Sequence, residues 1–493
     1  MLDDLTELPE GWSLETIQDL CEFNPKHNKG ISDELEISFV PMPAVDEVTG
    51  TIREHEVKRF GEVKKGYTHF ADRDVIFAKI TPCMENGKVA IGQNLINGIA
   101  CGSTEFHVLR SMGGVLPEYV YNFIRQPGYR EIAQQSMSGA VGHQRVPKEF
   151  LLETQIPLPP LNEQKRIVAK IEELRSHTQA ARNAIGHIPK LLEQFRQSVL
   201  AAAFRGDLTA EWRSENPDVE PAIVLLERIR KERRDRWEIT ELEKMRSAGK
   251  MPKDDKWKAK YKEPYAIDNS ELPDLIDGWI WTNLSNVSEC LDSIRIPINK
   301  EERDKRQGAI SYYGANGPVG WIDSHLFDEP LVIVVEDETF LGRTKPFSYK
   351  ITGKSWVNNH AHVLRPLAVD VDYLNYSLMF YPFIPLTSGT TGRRKLTQVS
   401  LMSAPYPLAP FDEQQQITKL VQKYLEKIDR IEQQYQFTKT ELDRLDRSIL
   451  AKAFKGELVP QDPTDEAAIV LLERIKDDRA SQTKPAKTKR KKA

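Results

Sequence analysis

The residues of this chain that could carry chemistry are few. His360 and His362 would share one face of a strand, since side chains alternate along it, and two imidazoles so placed could hold a metal; no third ligand is evident. The acidic run Glu336-Asp337-Glu338 reads as a turn rather than a nuclease site. Gly353-Lys354-Ser355 has the ending of a phosphate-binding loop, but Ser348 stands where the leading glycine should be, so nucleotide hydrolysis is not indicated. The sequence has no Gly-x-Gly-x-x-Gly turn for a dinucleotide or methyl donor, no Asn-Pro-Pro-aromatic or Asp-Pro-Pro-aromatic tetrapeptide and no His-Glu-x-x-His. Cys21, Cys83, Cys101 and Cys290 are scattered with no Cys-x-x-Cys pair, so neither a disulfide framework nor a zinc module is expected. The expectation is a chain with no catalytic residue, metal or cofactor of its own.

Binding groups are more conspicuous. Lys26, His27, Asn28 and Lys29, then Lys79 with Thr81, then Lys88, put amide, hydroxyl and basic groups on turns, where recognition residues usually sit. The run Ser138 to Arg145 carries Gly139, Gly142, His143, Gln144 and Arg145, and Ser388 to Lys395 carries Gly389, Gly392, Arg393, Arg394 and Lys395, in register at an offset of 250 positions. Glycines let a backbone approach a ligand closely, and amides beside arginines suit phosphate. Any one of these groups could equally be ordinary solvated loop. From Glu227 to Lys262 fourteen Lys/Arg face eight Asp/Glu, with Trp237, Trp257 and Tyr261 interleaved, which suits either phosphate attraction or a soluble linker.

These turns precede two long helices that the chain writes twice. Pro157-Leu158-Pro159-Pro160-Leu161-Asn162-Glu163-Gln164 opens one run and Pro407-Leu408-Ala409-Pro410-Phe411-Asp412-Glu413-Gln414 opens the other, again 250 positions on. Ile167, Ile171, Leu174, Ala181, Ile185, Ile188, Leu192, Phe195 and Val199 keep a four-three alternation with Thr178 the one polar entry, matched by Ile417, Val421, Tyr424, Ile431, Tyr435, Leu442, Leu445 and Ile449, with Thr438 the polar entry and Ile428 at the place of Thr178. A sustained apolar heptad predicts helices that supercoil on a partner, and each is the best partner for the other. Pro189 should kink the first, and Gly206 and Gly456 suit the two C-termini. Around the helices lie short apolar runs that predict strands: Ile37 to Pro41, Asp74 to Ile80, Lys88 to Ile91 and Thr104 to Leu109, then Ala309 to Tyr312, Leu331 to Glu336, Phe347 to Ile351 and Ala361 to Leu364. Helices are expected at Glu118 to Gln126 and Tyr373 to Phe380. Trp12 to Glu163 spans 151 positions and Trp279 to Glu413 only 134, so the frame reads as repeated and the strand regions as not.

At 493 residues the chain is too long for one core, and 40% hydrophobic with 29% charged residues are globular values. The net charge of −4 says little about partners. No apolar run reaches the roughly 20 residues of a membrane span and no export signal is read at Met1-Leu2-Asp3-Asp4, so a cytoplasmic protein is expected. The expected domains are 1–154 and 272–404, two α/β (α+β) units; 155–206 and 405–457, the long helices; 207–271, a basic helical linker; and 458–493, a short helix with a basic tail.

The Leu-Pro-x-Gly-Trp opening, the Ile-Pro-Leu-Pro-Pro-Leu-x-Glu-Gln helix entry, its Phe-Arg-Gly exit and their duplication resemble the specificity (S) subunits of type I restriction–modification enzymes. Tyr313-Gly314-Ala315-Asn316-Gly317, Leu341-Gly342-Arg343 and Trp356-Val357-Asn358-Asn359-His360 look like that family's variable domains. The resemblance implies two target-recognition domains, each reading half of a bipartite, asymmetric double-stranded DNA target, on an antiparallel coiled coil with a pseudo-twofold repeat. It adds Tyr313, Asn316, Arg343, Lys345, Asn358 and Asn359 to the candidate DNA contacts. It also implies two modification (M) subunits that bring S-adenosylmethionine for adenine methylation, and restriction (R) subunits that add ATP with Mg for translocation and cleavage. A self-contained methyltransferase or nuclease, and a structural coiled-coil adaptor, are the alternatives; the first lacks its motifs and the second leaves the polar turns unexplained.

Overall fold

The computed structural model describes residues 8–140, 143–264, 267–338, 340–390 and 393–482. It divides into two compact units, Met1–Gly186 with Gln436–Ala493, and His187–Tyr435. Among the described residues, no helix is long and apolar enough to cross a membrane. The basic tail from Lys484 to Lys492 lies outside them.

In the first unit Cys21–Phe23, Phe106–Ser111, Val75–Ala78 and Val89–Ile91 form one antiparallel sheet in that order. A second sheet runs Glu56–Arg59, Glu36–Val40, Ile99–Gly102, Thr68–Ala71, with its two central strands parallel. Val75–Ala78 is buried at every position because a helical layer covers one face, at Val75 and Phe77, and the second sheet the other, at Ile76 and Ala78. Pro117–Ile124 supplies part of that layer, its Tyr119, Phe123 and Ile124 packing into the core.

The second unit uses the same plan. Ser288–Cys290, Ala361–Pro366, Leu331–Val335 and Ser348–Ile351 form its antiparallel sheet, and Gly317–Ile322, Ile310–Gly314, Lys354–Val357, Phe327–Asp328 its mixed one, again with the central pair parallel. Val371–Met379 is its covering helix. The strand regions are therefore repeated in order and direction as well as the frame, which corrects the reading from sequence. Strand pairing needs only alternating apolar positions, so the same order survives different side chains and loop lengths.

The long helices are Leu161–Ile185, Ile188–Phe204 and Phe411–Lys455. The first run does not kink at Pro189 but breaks at Gly186-His187, and Pro189 sits in the first turn of the next helix, where its missing N–H costs nothing. Lys439 holds the matching place in the last helix, which runs on unbroken. Gly206 and Gly456 end their helices at φ of 78° and 76°, a left-handed backbone that favours glycine. In the first unit Thr178 donates to Asp446 at 2.9 Å and Arg182 pairs with Asp443 and Asp446. In the second, Phe195 meets Tyr424 edge to face, and Val199, Leu200 and Ala203 share a core with Ile417 and Val421. The heptad positions are not buried throughout: Phe195, Ile431 and Leu445 are 45%, 47% and 48% exposed. Where a helix packs only on another helix, with no sheet over it, seam residues keep one side in water.

Candidate nucleic-acid interface

Each strand domain is held to its long helix and the strand that leads into it by the same three contacts. Trp12 Nε1 donates to Glu163 Oε2 at 3.1 Å, and Trp279 Nε1 to Glu413 Oε2 at 2.8 Å. Gln164 Oε1 accepts the amide of Leu116 at 2.8 Å and Gln414 Oε1 that of Asp370 at 3.2 Å. Tyr119 and Tyr373 donate to the carbonyls of Pro157 and Pro407. Both glutamates are 1% exposed, so the Glu-Gln pairs that open the helices are buried acceptors and not surface charge. A short antiparallel pair closes each base: Ser13–Thr16 with Gln155–Leu158, and Ile280–Asn283 with Pro405–Leu408.

The two polar runs ahead of the helices are hairpins. Ser138 and Arg145 exchange backbone hydrogen bonds at 3.1 and 2.9 Å, and Thr387–Thr390 pairs with Arg393–Leu396. Gly139 and Gly389 sit at φ of 124° and 117°, and a Cβ on Gly139 would come within 2.9 Å of the His143 carbonyl. Gly142 and Gly392 lie outside the described residues, as does the Arg393 side chain. Asp337 and Glu338 are not a turn but a two-residue strand bonded to Arg394 and Lys395; the hairpin offers a free edge, and the acidic stretch pairs with it.

An imidazole anchors each hairpin. His107 bonds through Nε2 to the carbonyl of Val146, and His362 likewise to that of Leu396, at 3.1 and 2.8 Å. The amides of the same two residues donate to the carbonyls of Lys79 and Glu336. Burial holds His107 down to about 4, so it is neutral at pH 7. His362 also bonds Asp292 through Nδ1 at 2.5 Å. His360, by contrast, is exposed and bonds Asp337, so the two histidines of the sequence pattern do not meet at one site.

Several candidate cations are engaged. Arg145 makes a bidentate pair with Glu105, at 2.9 and 2.8 Å, which draws the Glu105 carboxyl below its usual range and raises the guanidinium. Lys395 reaches Glu336 at 3.0 Å and is raised by it. Arg394 bonds the hydroxyl and carbonyl of Thr387, which stiffens the hairpin. Lys88 is turned onto the carbonyls of Met42 and Val45. Lys26, Lys29 and His143 are exposed, Lys79 and Gln144 half-buried.

The variable-domain residues of the second unit gather at another place. Arg343 donates to Asn316 Oδ1 at 2.7 Å and to the carbonyls of Lys345 and Pro346, the backbone N–H of Asn358 donates to the Tyr313 carbonyl, and Tyr313 lies against Tyr349. Asn316, Lys345 and Asn359 remain exposed. Sequence reasoning missed Asp292 and Arg295, which bond His362 and Glu336, the residues that hold Leu396 and Lys395 of the second hairpin. Lone charged residues far from the hairpin in sequence gave no signal.

Residues 9–186 match the type I restriction modification DNA specificity domain. The type I restriction enzyme EcoAI and EcoEI specificity subunits of Escherichia coli are each 31% identical, over 58% of this chain and 52% of theirs, so the chain spans about half the length of these curated relatives. The StySPI specificity subunit of Salmonella potsdam is 26% identical over 80% of this chain and 78% of its own. Among solved structures, a chain from a study of complex assembly and conformational transition of the type I R-M system has a TM-score of 0.66 at 20% identity, covering 92% of this chain and 100% of that one. The HsdS subunit from Thermoanaerobacter tengcongensis gives 0.54 at 20%, covering 93% and 100%. The mixed α/β fold with long helices is thus that of HsdS structures. Residues 9–186 are therefore similar to the type I restriction–modification DNA specificity domain, and the chain is similar to the named specificity subunits along part of their length.

Proposed function

We propose that this chain is the non-catalytic DNA-recognition subunit of a type I restriction–modification complex, each strand domain reading one half of a bipartite, asymmetric double-stranded target. The observation that carries this reading is the twofold use of one frame and one strand order under different surface side chains. Identical scaffolds with different loops suit the reading of two different sequences. The long helices act as an antiparallel coiled coil that sets the spacing of the half-sites. Thr178 with Asp446 and Arg182 with Asp443 support it, since rising numbers on one helix meet falling numbers on the other. Two M subunits dock on this frame and bring S-adenosylmethionine for adenine methylation, and R subunits bring ATP with Mg. The complex works in the cytoplasm.

Selection from random DNA pools by the chain assembled with its M partner tests the reading. Exchanging residues 279–400 for the matching region of a relative should change one half-site and leave the other. A change in both would sink the idea of independent readers.

Within the first hairpin, Arg145 is proposed as a phosphate contact. Arg145→Ala should then weaken binding similarly on all targets and lower the slope of log affinity against log salt by about one. A loss confined to one base pair would make it a base reader instead.

A further inference from the structure

We propose that His27, His69 and Cys101 form a site for a zinc-class divalent cation in the first strand domain, clamping the turn that carries Lys26 and Lys29 onto the sheet. This goes beyond the DNA reading and does not depend on it.

The three residues are far apart in sequence and the sheet collects them. His69 and Cys101 are direct cross-strand partners of Thr68–Ala71 and Ile99–Gly102, so their side chains leave the same face. His27, on the turn after Cys21–Phe23, stacks on His69 with ring centroids 4.7 Å apart and planes 25° from parallel. One donor atom from each of the three lies within 4.8 Å of the others. With bonds of roughly 2.0–2.3 Å in a tetrahedral shell, donors sit about 3.3–3.6 Å apart, so modest side-chain rotations close the shell.

The hydrogen bonds prepare both rings as ligands. His27 Nε2 lies 2.8 Å from the Ala100 carbonyl and His69 Nε2 2.9 Å from the Lys64 carbonyl. A carbonyl only accepts, so each Nε2 carries the proton and each Nδ1 keeps its lone pair. The backbone amide of His27 fixes the same tautomer for His69 by donating to its Nδ1 at 3.3 Å, a hydrogen bond that a metal there would replace. A ring fixed through its outer N–H by a backbone carbonyl is the support that metal-bound histidines receive. As the sulfur–metal bond forms, the Cys101 thiol gives its proton to solvent. Two imidazoles and a thiolate favour zinc or cobalt over calcium or magnesium. Water completes the fourth position.

The alternative is a stacked histidine pair beside an inert buried thiol. The full-length chain, stripped by a chelator, is titrated with Zn²⁺ and separately with Co²⁺. One equivalent should bind, cobalt giving a thiolate charge-transfer band that Cys101→Ser abolishes and Cys83→Ser leaves. His27→Gln, in a half-buried turn that can change without opening the core, should weaken zinc binding by at least about tenfold, the smallest loss typical of even an outer-shell partner. Zinc should also slow amide exchange across residues 24–34. Substoichiometric binding, a cobalt spectrum indifferent to Cys101→Ser, or unchanged affinity in His27→Gln overturns the proposal. DNA selection on the same preparation reads the other hypothesis separately.

Discussion

Replacing Arg295 with methionine is expected to destabilise the second strand domain by about 3–5 kcal/mol, the usual cost of breaking a buried charge network from one side. Arg295 is 12% exposed and bridges two carboxylates that are each 9% exposed, Glu336 at 2.6 Å and Asp292 at 3.1 Å, while also donating to the Ala361 carbonyl. Methionine would fill the space and leave Asp292 with His362, and Glu336 with the exposed Lys395 at 3.0 Å and His362 at 3.9 Å. The contrast is Arg306 with Asp323, a solvent-screened surface pair whose removal should cost far less. Urea unfolding of the full chain, with amide exchange followed over residues 288–366, measures both. Adding Asp292→Asn and Glu336→Gln to the methionine variant should recover part of the loss, because the stranded charges go with it. A cost near that of the Arg306 variant would mean that water reaches the network.

The same carboxylates fix a sign for pH. Burial pushes Asp292 and Glu336 upward, but hydrogen bonds from His362 to the first and from Arg295 and Lys395 to the second win, and both lie below their ordinary values. A folded pKa below the unfolded one gives stability that is complete above the unfolded value, about 4, and is lost as pH falls through the folded value. Glu163 runs the other way. Burial raises its carboxyl despite the bonds from Trp12 and Gln461, so acidification relieves a cost there.

Local pattern made the frame legible. Heptads, the proline before each helix and the glycine after it are determined within a few residues, and the structure puts helices at each. The strands of Ile37, Ile76, Ile333 and Val363 were readable from apolar runs for the same reason. Long-range pairing was not legible. Nothing around Trp12 says that its indole will donate to a carboxylate 151 positions away, nor does His27 announce His69 and Cys101. The acidic stretch at Glu336 looked like a turn because its partner strand lies some sixty residues on. Lys88 and Arg145 show the converse limit: charge was visible, but whether a carbonyl or a carboxylate already held it depended on the fold.

Alanine at Glu413 should cost the second domain about 3–5 kcal/mol, and alanine at its repeat partner Glu163 should cost the first only about 1–3 kcal/mol. Both carboxylates are buried and both receive a tryptophan N–H, so the sequence repeat alone would predict equal effects. Their remaining partners differ. Glu413 also accepts Thr209 Oγ1 at 2.7 Å and a guanidinium N–H of Arg213, whereas Glu163 receives only the neutral amide of Gln461 at 3.3 Å. Removing Glu413 therefore strands a cation 26% exposed with one carbonyl left, that of Gly206, while removing Glu163 strands the neutral Trp12 N–H and leaves Gln461 Nε2 on the Gly456 carbonyl at 2.6 Å. Glutamine at 413 keeps an acceptor for one donor but no charge for Arg213, and its loss should fall between the two. Urea midpoints give the free energies. Amide exchange locates them, with protection expected to fall at residues 207–213 and 279–283 in the Glu413 variant and at 12–16 in the Glu163 variant. Equal losses in the two alanine variants would mean that Arg213 adds nothing beyond the shared tryptophan latch.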